Sequence, residues 1–315
     1  MESDKLEWRP VASRDMLHLR ARLLRQIREF FFQRGVLEVE TPLLAQSCAP
    51  ERHIVPFTVP VSPPRYLQAS PELAMKRLVA VGYGPLYQIT KAFRAGECGR
   101  WHNPEFTLLE WYRPGFNHHD LMAEMDELLQ VVLGCASAER LSYRDAFMAE
   151  LGVDPFAVPL QELHQAAARW MPGADLTRDE CLHLLLSHAV EPALGRGSPT
   201  FLYDFPASQA ALARISPENP QVAERFEVYV EGVELANGFH ELTDAHEQRR
   251  RFFHEGQEMA AQGLPVSPAD ERFFAALTAG LPPCAGVALG IDRLLAVLAG
   301  VDHLQGVLAF PWERA

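Results

Sequence analysis

Two strand–connection–strand segments, far apart in the chain, do most to limit what it can fold into. Leu86–Phe93 reads as a strand, Arg94–Pro104 as a loop and Glu105–Arg113 as a returning strand, with no helix between them. That pattern is a long-looped antiparallel hairpin and not a βαβ unit. In the second segment Phe226, Val228 and Val230 alternate, Glu231-Gly232 turns, and Val233–Leu242 returns. Between the hairpins, residues from about 117 to 200 read as helical, with Asn117/Asp120 and Thr177/Glu180 at capping-box spacing. A Gly-rich strand, Gly286–Gly290, leads into a helix over Ile291–Leu298. Hairpins around a helical block predict an α+β fold built on an antiparallel sheet.

The N-terminal part is punctuated in the same way. Ser13 caps a predicted helix running to about Arg34, with Leu17, Leu24, Ile27 and Phe31 at helical spacing and Gly35 as its stop. A short strand, Val36–Glu40, ends at Pro42, and Phe201–Phe205 reads as another strand. Ser70 is the expected cap of a second helix, with Pro71 in its first position and Gly82 closing it. The arginine run at 249–251 reads as a solvated helical face.

Charge and cysteine usage narrow the function classes. Lys+Arg 29 against Asp+Glu 41 leaves a net charge of −12, which argues against indiscriminate nucleic-acid binding. No apolar stretch reaches bilayer length, and Met1-Glu2-Ser3-Asp4-Lys5 carries no signal-peptide core. A cytoplasmic protein without a membrane partner is the expectation. Cysteines 48, 98, 135, 181 and 284 are scattered and odd in number, with no CxxC pair. That argues for reduced thiols and against a zinc site or a disulfide scaffold.

The familiar nucleotide loops are missing: no GxxxxGK[ST] and no GxGxxG after a strand. Nor is there a GxSxG elbow or an HExxH helix. Three other segments carry chemistry. Gly35–Pro42 is a helix stop, strand and proline turn. In Phe93–Tyr112, strand parity puts Phe106, Leu108, Glu110 and Tyr112 on one face, where Glu110 and Tyr112 could receive an ammonium group. Arg94, Arg100 and His102 in the adjoining loop suit a polyphosphate, and Phe106 offers a flat surface to a base. In Glu227–Glu241, strict alternation sets Glu234 and Glu241 on opposite faces, and Asn237-Gly238 is the expected place for a bulge that reunites them. Carboxylates clustered beside a phosphate site suit Mg²⁺.

Together these segments resemble motifs 1, 2 and 3 of the class II aminoacyl-tRNA synthetases. His102-Asn103-Pro104-Glu105-Phe106-Thr107, Glu234–Glu241 and Gly286–Leu294 are similar to the catalytic domain of the lysyl enzymes. The resemblance covers about residues 14 to 310. It implies an antiparallel sheet flanked by helices and a homodimer formed through motif 1. It also implies a single catalytic domain over 1–315, with a helical insertion at about 117–200.

By that resemblance Arg94 holds the ATP α-phosphate and the amino-acid carboxylate. His102 reaches the γ-phosphate, Arg293 lies over the adenine and contacts the γ-phosphate, and Phe106 stacks on the other adenine face. Ala95, Gly96, Asn103, Leu235 and Gly290 complete the ATP site. Glu234, with Glu227, holds Mg²⁺. Glu72, in Ser70-Pro71-Glu72, takes the amino group near the reacting carboxyl. Tyr112 and Glu241, helped by Glu110, take the distal ammonium of a lysine-like substrate, with Asn237, Phe239 and Ala288 also lining the pocket.

Motif 2 usually reads Phe-Arg-x-Glu, but here the fourth position is Gly96 and the acid comes one later, at Glu97. Trp101 stands where the lysyl enzymes place a basic residue, which leaves Arg100 to serve from one position earlier. Only about a dozen residues precede the first catalytic helix, so an N-terminal OB-fold that reads the anticodon is not expected. Free-standing cores of this kind resemble the ligases that activate (R)-β-lysine and attach it to a lysine of elongation factor P. Alanine at 288, where lysyl enzymes carry glycine, fits that group. The same motifs leave open a tRNA-charging enzyme that recognises only the acceptor stem, acting on lysine, and a catalytically silent regulatory paralogue.

Overall fold

The computed structural model describes residues 8–52 and 54–315. The chain divides into two compact units. The first takes residues up to Trp111, with Ala245–Leu281 and Leu289–Ala315; the second takes Tyr112–Asp244 and Pro282–Ala288.

The chain begins with α1 (Arg14–Gln33), where Ser13 Oγ accepts the Met16 N–H and a left-handed Gly35 ends the turn. Its buried stripe is Leu23, Ile27, Phe30 and Phe31; Leu17 is exposed, so the apolar face is rotated from the predicted one. Short strands β1 (Leu37–Glu38), β2 (Leu44–Ala45), β3 (Thr58–Val59) and β4 (Arg65–Leu67) follow. Helix α2 (Glu72–Ala80) begins one residue later than predicted: Pro71 is its cap, while Ser70 Oγ accepts the Glu72 N–H at 3.1 Å. Strands β5 (Leu86–Phe93) and β6 (Glu105–Pro114) match their predicted places, separated by the loop alone. Phe31 stacks on Tyr87 at 4.5 Å and meets Trp111 edge-on at 5.3 Å, which seats α1 on these strands.

In the second unit, α3 (His118–Leu133) starts in an Asn117/Asp120 capping box. The predicted all-helical stretch contains a strand, β7 (Glu139–Ser142), before α4 (Tyr143–Leu151), α5 (Leu160–Ala167) and α6 (Arg178–Leu185). A Thr177/Glu180 box opens α6. Then come β8 (Thr200–Pro206), β9 (Val222–Val230) and β10 (Val233–His240), with the β9–β10 turn at Glu231 and Gly232, both at positive φ. Tyr143, Phe147, Leu182, Leu202, Phe205 and Tyr229 belong to this unit's core. The chain ends with α7 (Ala245–Ala261), α8 (Glu271–Gly280), β11 (Cys284–Gly290) and α9 (Ile291–Ala299). Arg249 pairs with Glu271, and Arg250 and Arg251 with Glu247, so the arginine run is a solvated face.

The eight-stranded sheet has the order β1-β5-β6-β11-β10-β9-β8-β7, and a small sheet the order β2-β4-β3. The large sheet is mixed. β8, β9 and β10 pair antiparallel, but β1 runs parallel to β5 and β7 parallel to β8. In both parallel pairs the intervening chain contains helices, and such a crossover returns a strand in its original direction. No disulfide joins any of the five cysteines. No helix among the described residues is long and apolar enough to cross a membrane.

Candidate active site

In the first unit the loop after β5 is closed by Arg94 N–H donating to the Pro104 carbonyl at 2.9 Å. Ala95 N–H donates to the Val55 carbonyl at 2.7 Å, so its backbone amide serves the fold. Gly96 sits at φ +80°. The turn it allows carries Glu97 back to Arg94, Oε1 to Nη1 3.7 Å. The Arg94 guanidinium lies 5.0 Å from the centre of the Phe106 ring, and its buried Nε–H has no hydrogen-bond partner. A half-buried arginine with an unspent donor, on the face of an aromatic ring, is suited to a nucleotide phosphate and base.

Arg293, near the start of α9, donates from Nη2 to His102 Nε2 at 2.8 Å and from Nε to the Trp101 carbonyl at 3.1 Å. Arginine can only donate, so Nε2 of His102 accepts and its ring proton lies on Nδ1. The two residues expected at the γ-phosphate are thus brought together. Asp292 fixes this arrangement: almost fully buried, it accepts from Arg20 at 2.6 Å and from the Thr107 N–H at 2.7 Å. Gly290 is the N-cap of α9. Two expected residues are committed elsewhere. Asn103 donates to the Glu105 carbonyl and accepts from Trp312 N–H, holding the loop and not presenting a free amide. Arg100 is taken by Asp302, at 2.5 Å to its carbonyl and 3.2 Å to its carboxylate.

Also in this unit, Ser70 Oγ donates to Glu110 Oε2 at 2.7 Å, which joins the head of α2 to β6. Glu72 is buried and paired with Lys76 Nζ at 2.5 Å. This buried pair holds the Glu72 carboxylate in place at the head of α2.

In the second unit the bulge lies at Glu234–Ala236, not at Asn237-Gly238. Asn237 and Gly238 stay in register with Glu227 and Phe226 because a side chain at 238 would collide with the Phe226 ring and Val287. The extra residue is Leu235, whose side chain is buried in the core. Beyond the bulge the alternation of exposure puts Glu234, Asn237 and Phe239 on one face, and Glu241 continues it. The register shift thus comes two residues before the expected Asn237-Gly238.

Glu227 is held by Arg225 and by the Tyr229 hydroxyl, each at 2.5 Å. Burial pushes its carboxyl above the ordinary range, and the charge of Glu234 adds to that rise. Buried Glu227 and half-buried Glu234, two carboxylates that repel each other, are a fitting donor set for a hard divalent cation. Asn237 accepts from Arg225 at 3.2 Å. Glu241 and Tyr112 are both buried and converge over Gly286, where a Cβ would lie 2.5 Å from Glu241 Oε1 and overlap the Tyr112 ring. Ala288, two residues on, is half-buried on the same strand face.

Residues 1–314 match the family of class II tRNA synthetases (D, K and N). The chain belongs to this class II synthetase family. Its full-length relatives include proteins named elongation factor P–(R)-β-lysine ligase. That of Vibrio cholerae is 52% identical, over 98% of this chain and 99% of the relative. Those of Proteus mirabilis and Salmonella typhi are 50% and 49% identical, over 99% of this chain and all of each relative.

Within this class II synthetase frame, sequence reasoning passed over four residues. Asp292 and Gly286 lay inside the motif 3 string but received no role. Lys76 sits one helical turn after Glu72, the i,i+4 spacing that signals an ion pair. Thr107 gave no signal beyond its place in the strand.

Proposed function

We propose that this chain activates (R)-β-lysine with ATP as an aminoacyl-adenylate and transfers it to a lysine side chain of elongation factor P. The observation that carries the reading is the buried convergence of Glu241 and Tyr112 over Gly286. It offers a carboxylate and a phenol to a distal ammonium. The names of the full-length relatives support the same substrate and acceptor.

The amino-acid carboxylate attacks the α-phosphorus in line and pyrophosphate leaves. The acceptor amine then attacks the adenylate carbonyl, forms an amide and releases AMP. The first step needs little proton transfer, so positioning and charge neutralisation dominate. Arg94 would bridge the α-phosphate and the carboxylate, and Phe106 would carry the adenine. His102 and Arg293 would take the γ-phosphate. Ser70 fixes Glu110, and Lys76 fixes Glu72, ready for the substrate amino group. Glu234 and Glu227 would hold Mg²⁺, which supplies further neutralisation of the phosphates. Ala288 adds a methyl group to the floor beside the pocket, and a difference of that size is worth roughly 1–3 kcal/mol of discrimination.

The reading includes one catalytic domain along the chain, a cytoplasmic setting and a homodimer. Phe32, Leu37 and Leu44, around motif 1, are exposed and apolar, the kind of surface a partner copy covers. Sedimentation of the wild type and of Phe32→Glu tests the dimer: a monomeric wild type, or a variant unchanged in mass, would remove it.

The deciding experiment is ATP–pyrophosphate exchange with (R)-β-lysine and L-α-lysine side by side, without acceptor. Strong exchange with β-lysine, followed by modification of elongation factor P, is expected. Exchange with α-lysine alone would redirect the search to tRNA. No exchange by folded protein would overturn the reading.

A further inference from the structure

On the other side of β10 from Glu241 lies a cluster that the ligase reading does not use. His118 opens α3, Glu224 is on β9 and His240 ends β10. All three are buried, and one ligand atom from each lies within 4.8 Å of the others. Glu224 Oε2 is 2.6 Å from His240 Nδ1 and 4.0 Å from His118 Nδ1. His240 Nδ1 and Glu224 Oε2 face each other at hydrogen-bond distance, whereas neither ring nitrogen of His118 has a hydrogen-bond partner. Buried polar atoms are normally satisfied, so the two open nitrogens of His118 beside that pair call for a ligand.

We propose that His118, Glu224 and His240 form a structural site for a first-row divalent metal, with Zn²⁺ the best fit, that ties α3 to β9 and β10. Two imidazoles and one carboxylate suit Zn²⁺ and not Mg²⁺ or Ca²⁺, which take oxygen ligands. Zn–N and Zn–O bonds of about 2.0–2.2 Å place tetrahedral ligand atoms roughly 3.4 Å apart. The spacings found here bracket that value, so small side-chain rotations close the site.

Asp204, part-exposed at the β8 bulge and strained at φ +61°, has Oδ1 3.8 Å from His118 Nε2. It can orient that ring from outside or enter as a further ligand. Arg214 donates to Glu224 Oε1 at 3.4 Å, and its Nε lies 2.8 Å from Oε2. Its charge competes with the metal, and Asp204 sets a second carboxylate beside the cluster. The site uses no cysteine, which is why thiol spacing gave no sign of it.

Untagged full-length protein, stripped with EDTA, would be titrated with ZnCl₂ by calorimetry and with Co²⁺ by visible absorption. One equivalent should bind, raise the melting temperature, and give d–d bands of a nitrogen–oxygen site without thiolate charge transfer. His118→Gln or His240→Gln should weaken binding more than about 100-fold, beyond the 10–100-fold of an outer-shell change. Absence of saturable binding, a thiolate signature, or folded variants that bind as the wild type would each overturn the proposal. The wild-type cobalt spectrum decides even if a variant fails to fold.

Discussion

Glu97 reaches back to Arg94 across a single turn, Oε1 to Nη1 3.7 Å, and Gly96 between them holds φ +80°. A turn that a side chain would strain thus sets Glu97 beside Arg94. No atom lies within 4 Å of a Cβ at 96, so Gly96→Ala pays only for the backbone, about 1–2 kcal/mol. Its melting temperature should fall by a few degrees and its KM for ATP should rise. Glu97→Gln should raise the KM for ATP without a thermal shift. Unchanged ATP kinetics in both variants would leave Glu97 as a surface acid.

Gly286→Ala tests the substrate pocket. The new methyl would sit 2.5 Å from Glu241 Oε1 and inside the Tyr112 ring contact. Overpacking of this kind costs roughly 1–3 kcal/mol of stability. Exchange with lysine-like substrates should drop by about 100-fold or more, on the scale of a misplaced positioning group. The KM for ATP should change far less. An equal loss for both substrates would show that the methyl disturbs the sheet and not the pocket.

Asp292 governs Arg293 through the backbone that joins them. Asp292→Asn removes the charge that Arg20 pairs with and weakens the bond to Thr107 N–H. Hydrogen bonds to charged groups contribute roughly 1.5–3 kcal/mol, and a loss of that size is expected in denaturant unfolding. A double-mutant cycle with Arg20→Met should recover about 1 kcal/mol or more of coupling energy. Strict additivity would mean that the pair acts independently.

Local signals located most of the elements. Capping boxes at Asn117 and Thr177, the Glu231-Gly232 turn and the glycine stop at Gly35 lie where the sequence puts them. Strand direction was less legible. Nothing in Leu37–Glu38 or Glu139–Ser142 announces a parallel partner, since that depends on where a distant crossover returns. The bulge was misplaced because Asn-Gly is a strong local turn signal, whereas the position is set by packing: Gly238 must admit Phe226, so the extra residue goes to Leu235. In the site, charged residues stood out by type. Asp292, Gly286 and Lys76 act by burial and close approach, and those are properties of the folded neighbourhood.

Thiol chemistry offers a test that needs no substitution. Cys98, in the loop after β5, is exposed, while Cys48, Cys181 and Cys284 are buried. Burial pushes the Cys48 thiol up to about 11. At pH 8 its thiolate fraction is then on the order of 10⁻³, and only the thiolate is nucleophilic. Raising the pH toward 11 increases that fraction tenfold per unit, so Cys48 should stay inert through the neutral range. Iodoacetamide at pH 8 followed by peptide mapping should therefore label Cys98 first, with part-exposed Cys135 behind it. If the loop holds ATP as proposed, the nucleotide should slow labelling at Cys98 and leave Cys135 unchanged. Equal labelling rates at Cys98 with and without ATP would detach this part of the loop from the nucleotide site.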